Sequence, residues 1–429
     1  MFAVDVERAI RDARETGGYL RPAYDDFCVA RVPATAGRVL DADVGPPLPA
    51  DALADVETDV EVVVVALVDG YGYTQWRRDY EAVPFLDRLT RRAGVTPLTS
   101  VYPSETAAAM TTLHTGRTPA EHGLLGWNLY VEADDLTIRS LPFRTLAGED
   151  PRSVDASVTP ADLFAGRPIY ERLGEAGVTS HVLSPESLAG SAYSSVASAG
   201  AATPGYADVS DAEASLRRIV ESAGDRTYVL AYFPQVDAAG HETGTESATY
   251  RDRLSSVAAT LGRFVRRLDA ADARRTLLVV TADHGQVNTD PTTNVDLLEL
   301  DGVASRLRRH GGGETDAEGV AGSESPVVAG SARNVHLFCE EGAEVRRSLA
   351  RELDARTFTR AEALAESLFG PGDPAPALER RCGDLVVVPR DRGVWHGRDP
   401  RLLEHVGMHG GLHPDEMLVP FAAARVADL

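Results

Sequence analysis

Three hydrophobic runs in this chain end in the same way. They are Glu61-Val-Val-Val-Val-Ala-Leu-Val-Asp69-Gly70, Tyr228-Val-Leu-Ala-Tyr-Phe-Pro-Gln-Val-Asp237-Ala-Ala-Gly-His241 and Leu277-Leu-Val-Val-Thr-Ala-Asp283-His284-Gly285. Each apolar stretch is too short for a helix and shows no polar alternation, so each predicts a strand buried on both faces. In open parallel sheets, ligands gather outside the carboxyl ends of the strands. The pattern therefore delivers carboxylates and imidazoles to the edge where chemistry is done. Carboxylate oxygen beside imidazole nitrogen suits zinc or manganese. One Asp-His pair at a strand end is more simply a loop cap, whereas three such ends predict a polynuclear metal site.

Between these runs the pattern alternates. Helices are expected over Val4–Thr16, Pro84–Arg92, Ala107–Thr115, Ile169–Ala176, Asp211–Ala223 and Tyr250–Ala270, and strands over Val95–Val101 and Val178–Leu183. That order argues for an α/β, doubly wound core with parallel strands. Residues 131–161 are mixed and polar and read as an excursion over the site. After residue 295 the chain changes character. His310 to Ser331 is rich in Gly, Ser and acid and reads as a mobile loop, with Asp316–Glu324 a solvated surface. Short elements over Val335–Cys339, Ala343–Leu353, Arg360–Ser367 and Asp384–Val388 make a small inserted α/β subdomain. The expected organisation is an N-terminal segment (1–55), a catalytic core (56–294), an inserted cap (295–390) and a return to the core (391–429).

Thr106 follows Tyr102-Pro-Ser-Glu and opens the Ala107–Thr115 helix. In isolation it reads as an N-cap. A helix N-terminus also presents backbone N–H groups to an anion such as phosphate. A threonine hydroxyl is a weak nucleophile until a nearby cation lowers its pKa, as metals do for bound water. Thr106 and the three Asp/His strand ends thus explain one another.

Charge narrows the partners. The formal net charge is −22, and all 43 basic residues are Arg, with no Lys. An acidic, Lys-free chain is expected of a halophilic cytoplasm, codon bias being the plain alternative. A nucleic acid duplex is excluded as partner, because binding it needs clustered positive charge. Cys28, Cys339 and Cys382 are odd in number and far apart, so neither a disulfide framework nor a cysteine zinc site is indicated. No signal-peptide pattern opens the chain and no apolar run approaches a membrane span, so a cytoplasmic protein with no membrane contact is expected.

Taken in order, Asp69-Gly, Pro-Ser-Glu-Thr106 with Thr115-Gly116 and His122-Gly123, Asp237-x-x-x-His241, Asp283-His284-Gly and Gly-x-His409-Gly resemble the alkaline phosphatase superfamily. The branch they look most like is the type I phosphodiesterase/nucleotide pyrophosphatase family. The resemblance implies two divalent metal ions, zinc first and manganese second. Asp237, His241 and His409 would hold one ion. Asp69, Thr106, Asp283 and His284 would surround the other, and a phospho-threonine intermediate would form at Thr106. The sequence departs from the family at one place: after His122-Gly-Leu-Leu-Gly126 the expected Asn is Trp127, and Asn128 follows one residue later. Asn128 is the candidate donor to the phosphoryl oxygen, a polar loop residue being the alternative. The Gly-Gly-Leu-x-x-x-Glu-Met-x-Val-Pro-Phe tail also looks like PglZ-type domains of the same superfamily.

Other residues receive plainer readings. His114 and His122 are expected to pack the helix, and His413 stands second to His409 as a ligand. Trp127, Asn128, Tyr71 and Tyr73 are expected to wall the pocket, and Arg139, Arg144 or Arg333 could fold back as a phosphate clamp. The expected activity is metal-dependent hydrolysis of phosphate esters, in particular diesters or nucleotide pyrophosphates, on a small-molecule substrate. The alternatives are a phosphomonoesterase, a metal-dependent phosphomutase and a PglZ-like interaction module.

Overall fold

The computed structural model describes residues 1–311, 325–396 and 400–429. A mixed sheet of seven strands carries the site. In chain order they are β1 (Val62–Val68), β2 (Thr96–Thr99), β3 (Thr179–Pro185), β4 (Gly205–Tyr206), β5 (Thr227–Phe233), β6 (Thr276–Thr281) and β7 (Leu418–Arg425), and they lie side by side as β2-β7-β6-β1-β5-β3-β4. β1 pairs in parallel with β5 on one side and β6 on the other, and β5, β3 and β4 continue in parallel. β7 runs antiparallel to both its neighbours, β6 and β2. The result is a doubly wound α/β core with one reversed strand.

The three runs that end in Asp are the three central strands, and every residue in them is buried. Successive side chains of a strand point to opposite faces. Val62, Val64, Ala66 and Val68 accordingly join one apolar cluster, while Val63, Val65 and Leu67 join another. Helices Pro84–Ala93, Val209–Ser222 and Ala248–Arg267 complete the first cluster. Helices Thr106–Thr115 and Ile169–Glu175, with residues 29–48, complete the second. Burying each Val or Leu contributes roughly 1.5–3 kcal/mol, which is why these strands tolerate no polar face. The long helix stops at Arg267, short of the expected Ala270. Leu268 is extended, and the Asp269 carboxylate accepts from the backbone N–H groups of Ala271 and Asp272 to start a second helix, Ala270–Arg274.

A second sheet is antiparallel throughout. Its order is Ala355–Thr359, Leu385–Pro389, Asn334–Leu337, Val328–Ser331, Asn128–Val131, Leu136–Arg139 and Arg144–Thr145. The excursion expected over 131–161 therefore supplies two strands and adjoins a third, Asn128–Val131, in a sheet whose other four lie between residues 328 and 389, and Gly330 pairs with Asn128 at the join. Val328–Ser331 closes the stretch expected to be a mobile loop and is a strand, its partners hiding the linker-like composition. The rest of that loop, with the acidic run 316–324, falls largely on residues 312–324, outside the described residues. Among the described residues no helix is long and apolar enough to cross a membrane.

Candidate active site

Topology brings the candidate residues to one edge of the main sheet. Asp69 follows β1 directly, and Asp283-His284 follow β6 after one residue. After β5 the chain enters the helix Gln235–Thr243, where Asp237 and His241 lie four apart and so share a face. β7 runs the opposite way, so its beginning lies at this same edge and the preceding loop delivers His409. β2 leads into Thr106, the first residue of its helix. Gly285 is required here, since a Cβ on it would stand 2.1 Å from the carbonyl oxygen of Asp415.

The side chains form two groups, Asp237 with His241 and His409, and Asp69 with Asp283 and His284. In the first, His241 Nε2 is 3.3 Å from Asp237 Oδ2, and His409 Nε2 is 3.6 Å from Asp237 Oδ1. In the second, His284 Nε2 is 3.3 Å from Asp69 Oδ1, 3.4 Å from Asp283 Oδ2 and 3.1 Å from Thr106 Oγ1. The rings of His284 and His409 stack at 3.7 Å and join the groups.

Each imidazole is oriented by its other nitrogen. Nδ1 of His241 donates to the carbonyl of Gly407 (2.7 Å), that of His284 to Gly285 (2.9 Å) and that of His409 to Ser104 (3.3 Å). A carbonyl can only accept, so the neutral rings all turn an Nε2 lone pair into the site, the arrangement that metal-ligating histidines need. His241 and His409 bring these atoms to 3.1 Å of one another, a contact that a shared cation relieves.

The carboxylates make the same demand. Burial, then the Asp283 and Asp237 charges, push Asp69 well above the usual carboxylate range, even though the Tyr232 hydroxyl donates to it. Burial likewise raises Asp283. Burial alone would raise Asp237, but the neighbouring imidazoles, His241 foremost, hold it far below that range. His241 would be lowered by burial, yet the Asp237 carboxylate holds it above the ordinary imidazole value, whereas burial and then His284 push His409 well down. Asp69 Oδ1 and Asp283 Oδ2 are buried and have no hydrogen-bond partner. Among the described residues no ion pair joins an arginine to any of the three aspartates. This donor set fits divalent cations.

Several residues at the site escape a reading of the sequence. Tyr232 lies inside an apolar strand, and its only signal is that a buried tyrosine hydroxyl seeks a partner. Gln286 is buried, and its amide donates to both the backbone carbonyl and the carboxylate of Asp237. Gln75 in turn donates to the carbonyl of Gln286 at 2.8 Å.

The plainer candidates fall elsewhere. His114 bonds the Tyr170 hydroxyl at 2.6 Å and His122 the Thr112 hydroxyl at 3.1 Å, both buried. His413 caps the helix Pro414–Met417, accepting from Asp415 N–H at 3.1 Å. Asn128 opens a strand of the second sheet. Its Nδ2 lies 3.4 Å from His396 Nε2, and its Oδ1 is buried without a partner. Among the described residues no hydrogen bond joins it to Thr106 or to either group. Trp127 is 40% exposed. Tyr71 and Tyr73 do not wall the pocket: both rings turn into the core, Tyr71 against Trp76 and Tyr73 against Phe2 at 5.7 Å each. Arg333 does not fold back as a clamp either, because it is buried on Glu416. Arg144 stands 3.6 Å from Asp150.

Among solved structures, the chain is similar to murine ectonucleotide pyrophosphatase / phosphodiesterase 5, at 18% identity over 84% of this chain and 87% of that one, with a TM-score of 0.60. An inactive threonine-to-alanine form of that murine protein in complex with AMP matches at 18% identity over 85% and 88%, TM-score 0.61. Phosphonoacetate hydrolase from Sinorhizobium meliloti 1021, in complex with phosphonoacetate, matches at 17% over 86% and 91%, TM-score 0.58. At such identities the likeness speaks for the fold. No curated protein matches the chain in sequence. The family described as type I phosphodiesterase / nucleotide pyrophosphatase matches residues 63–412, and the chain belongs to that family, whose members are hydrolases acting on phosphoric esters.

Proposed function

We propose that this chain hydrolyses phosphate diesters or nucleotide pyrophosphate bonds by in-line displacement, with Thr106 as the nucleophile. The observation that carries the reading is the position of Thr106 Oγ1, at a helix N-terminus and 3.1 Å from the inward-facing Nε2 of His284. Asp69, Thr106, Asp283 and His284 would hold one divalent ion, and Asp237, His241 and His409 a second, zinc first and manganese next on the mixed oxygen and nitrogen donors. Bound there, such ions supply Lewis acidity, lowering the pKa of a coordinated hydroxyl and neutralising charge on the phosphoryl oxygens. The protein's own part is to aim Thr106 at phosphorus with the helix N–H groups behind it, to fix the three Nε2 lone pairs through backbone carbonyls, and to exclude arginine from the carboxylates. Thr106 Oγ1 bonds to phosphorus as the P–O bond to the departing alcohol or nucleotide breaks and that oxygen takes up a proton; water then attacks the phosphoester from the opposite side, and Thr106 leaves with its hydroxyl restored. Asn128 is the proposed donor to the phosphoryl oxygen through its Nδ2, which would leave His396 when substrate enters. The second sheet serves as a cap beside the site.

The neighbour in complex with AMP and the neighbour in complex with phosphonoacetate support a small phosphoryl ligand. The threonine-to-alanine change in the inactive neighbour supports a threonine nucleophile. The test is turnover of a nitrophenyl nucleotide diester after chelation and again after adding zinc or manganese. Turnover that vanishes and returns is expected; equal rates in chelator would sink the reading.

A further inference from the structure

Arg333 and Glu416 form a fully buried ion pair, with Nε on Oε2 at 2.8 Å and Nη2 on Oε1 at 2.9 Å. Arg333 sits in the turn between Val328–Ser331 and Asn334–Leu337 of the second sheet, and Glu416 stands in the one-turn helix Pro414–Met417 between His409 and β7. The remaining capacity of the carboxylate is committed, and four of the five guanidinium N–H groups are used. Glu416 Oε2 accepts the N–H of Gly411 at 3.0 Å, and Oε1 accepts that of His413 at 2.8 Å. Arg333 also donates to the carbonyls of Arg390 (2.7 Å) and Arg392 (3.1 Å). The backbone carbonyl of Glu416 accepts the N–H of Gly285 at 2.8 Å, one residue past His284. A Cβ on Gly411 would stand 2.6 Å from Glu416 Oε1, so only glycine lets the loop close on this carboxylate.

A buried ion pair is a weak source of stability, since desolvating both charges offsets their attraction, and apolar replacements of similar volume are often neutral or better. What it supplies is direction. The segment around His409 is Gly407-Met-His-Gly-Gly411, which has little side chain with which to hold itself. Gly407 and Met408 pair with Asn288 and Val287, and His241 Nδ1 donates to the Gly407 carbonyl. Beyond them Ser104 is a further anchor, its carbonyl accepting from His409 and its hydroxyl donating to the carbonyl of Gly411 at 2.7 Å.

We propose that Glu416 and Arg333 are positioning residues of the candidate metal centre. The pair holds the loop so that His409 Nε2 faces Asp237 and His241, steadies the turn after His284 through Gly285, and ties the second sheet to both. This rests on the two-metal reading above. The test is calorimetric titration of the chelator-treated protein with Zn²⁺, alongside melting curves and diester kinetics, for wild type, Arg333→Met/Glu416→Leu and Arg333→Lys. The double variant is expected to melt cooperatively near wild type, to bind one of two ions about 10-fold or more weakly, the scale typical of lost second-sphere support, and to lose kcat with little change in KM. Arg333→Lys, which keeps the charge without the fork, is expected to fall between. A wild type that takes up no ion overturns the two-metal reading and this inference with it. A folded double variant that binds both ions as wild type does overturns the inference alone. Should the double variant fail to melt cooperatively, Arg333→Lys decides: a weakened single ion upholds the inference, and wild-type affinity overturns it.

Discussion

Oγ1 of Thr106 lies 3.1 Å from Nε2 of His284, whose Nδ1 is held by the carbonyl of Gly285. In the neutral ring Nε2 can only accept, so without a cation the hydroxyl proton points at the imidazole; a bound ion would take that Nε2 lone pair and hold the hydroxyl oxygen beside it, with an oxygen lone pair left for phosphorus. Thr106→Ala is expected to lower kcat by about 1,000-fold or more, the scale of losing a nucleophile, while the fold and at least one metal site persist. Thr106→Ser supplies the same oxygen and should keep measurable turnover. Full activity in the alanine variant, measured against the nucleotide diester, would exclude covalent chemistry at this residue.

Asp69 and Asp283 carry buried, unpartnered oxygens, and burial foremost raises both pKa values, with the charges of Asp283 and Asp237 adding to it at Asp69 and that of Asp237 at Asp283. A carboxyl whose pKa is raised on folding contributes most when protonated, and that contribution is lost as pH rises through the folded value. Bound cations cancel the loss. Zinc should therefore raise the melting temperature of chelated protein, and by more at pH 8 than at pH 6. Asp283→Asn should bind one ion fewer by metal analysis. Stabilisation that shrinks with rising pH would contradict the assignment.

Glu105 adjoins the nucleophile and is buried. Burial pushes its pKa up to about 7, with Ser331 and the Trp127 backbone offsetting this in part and neither oxygen fully partnered. Its ordinary value is 4.5, so its contribution to stability is whole below about pH 4.5 and fades as pH rises through 7, with a loss on the order of 3 kcal/mol. Glu105→Gln stays neutral throughout. Relative to wild type in the same metal buffer, it should gain several degrees of melting temperature between pH 5 and pH 8. A gap that does not change with pH would refute the argument.

These cases separate what a linear reading can reach from what it cannot. β1, β5 and β6 are legible because burial on both faces forces an unbroken apolar run, and the chain must turn at Asp69, Asp237 and Asp283. His409 is legible because glycines flank it within a motif. Gln286, Tyr232 and the Arg333–Glu416 pair are not, since each acts through a partner 49 to 163 residues away, a distance no local pattern encodes. The second sheet is hidden for the same reason. Asn128–Val131 and Leu136–Arg139 are four residues each and pair with one another as a hairpin too short to stand out, and they join the insert strands through Gly330, roughly two hundred residues later, which pairs with Asn128. Tyr71 and Tyr73 mislead because neighbours in sequence to Asp69 need not face the same way, and the Tyr73–Asp79 helix rolls them into the core.

The acidic surface should show in the response to salt. With 65 acidic residues against 43 arginines, self-repulsion opposes the compact state, and the Debye length falls to about 3 Å at 1 M. The melting temperature should rise between dilute buffer and molar KCl. No rise would favour codon bias over a halophilic setting.

Diester against monoester turns on where the arginines are. A monoester presents a phosphoryl dianion, and its hydrolysis is helped by a side-chain cation beside the metals. Arg333 is committed to Glu416, and Arg144 lies toward Asp150. Among the described residues no ion pair or hydrogen bond brings an arginine to Thr106, Asp69, Asp237 or Asp283. Aromatic rings stand near His241 instead. Trp127 is exposed, and behind His241 stands His405 at 5.4 Å between ring centres, backed by Trp395 at 5.5 Å. Such surfaces receive an ester group better than a second negative charge. The expected outcome is a kcat/KM for a nitrophenyl nucleotide diester about 10-fold or more above that for nitrophenyl phosphate, the scale that a modest set of pocket contacts supplies. Trp127→Ala should shrink the ratio by raising KM for the diester. Arg139 is the control, because it lies directly across the strand pair from Asn128, where side chains share a face. A monoester preference that disappears in Arg139→Ala would place the phosphate clamp there and reverse the conclusion.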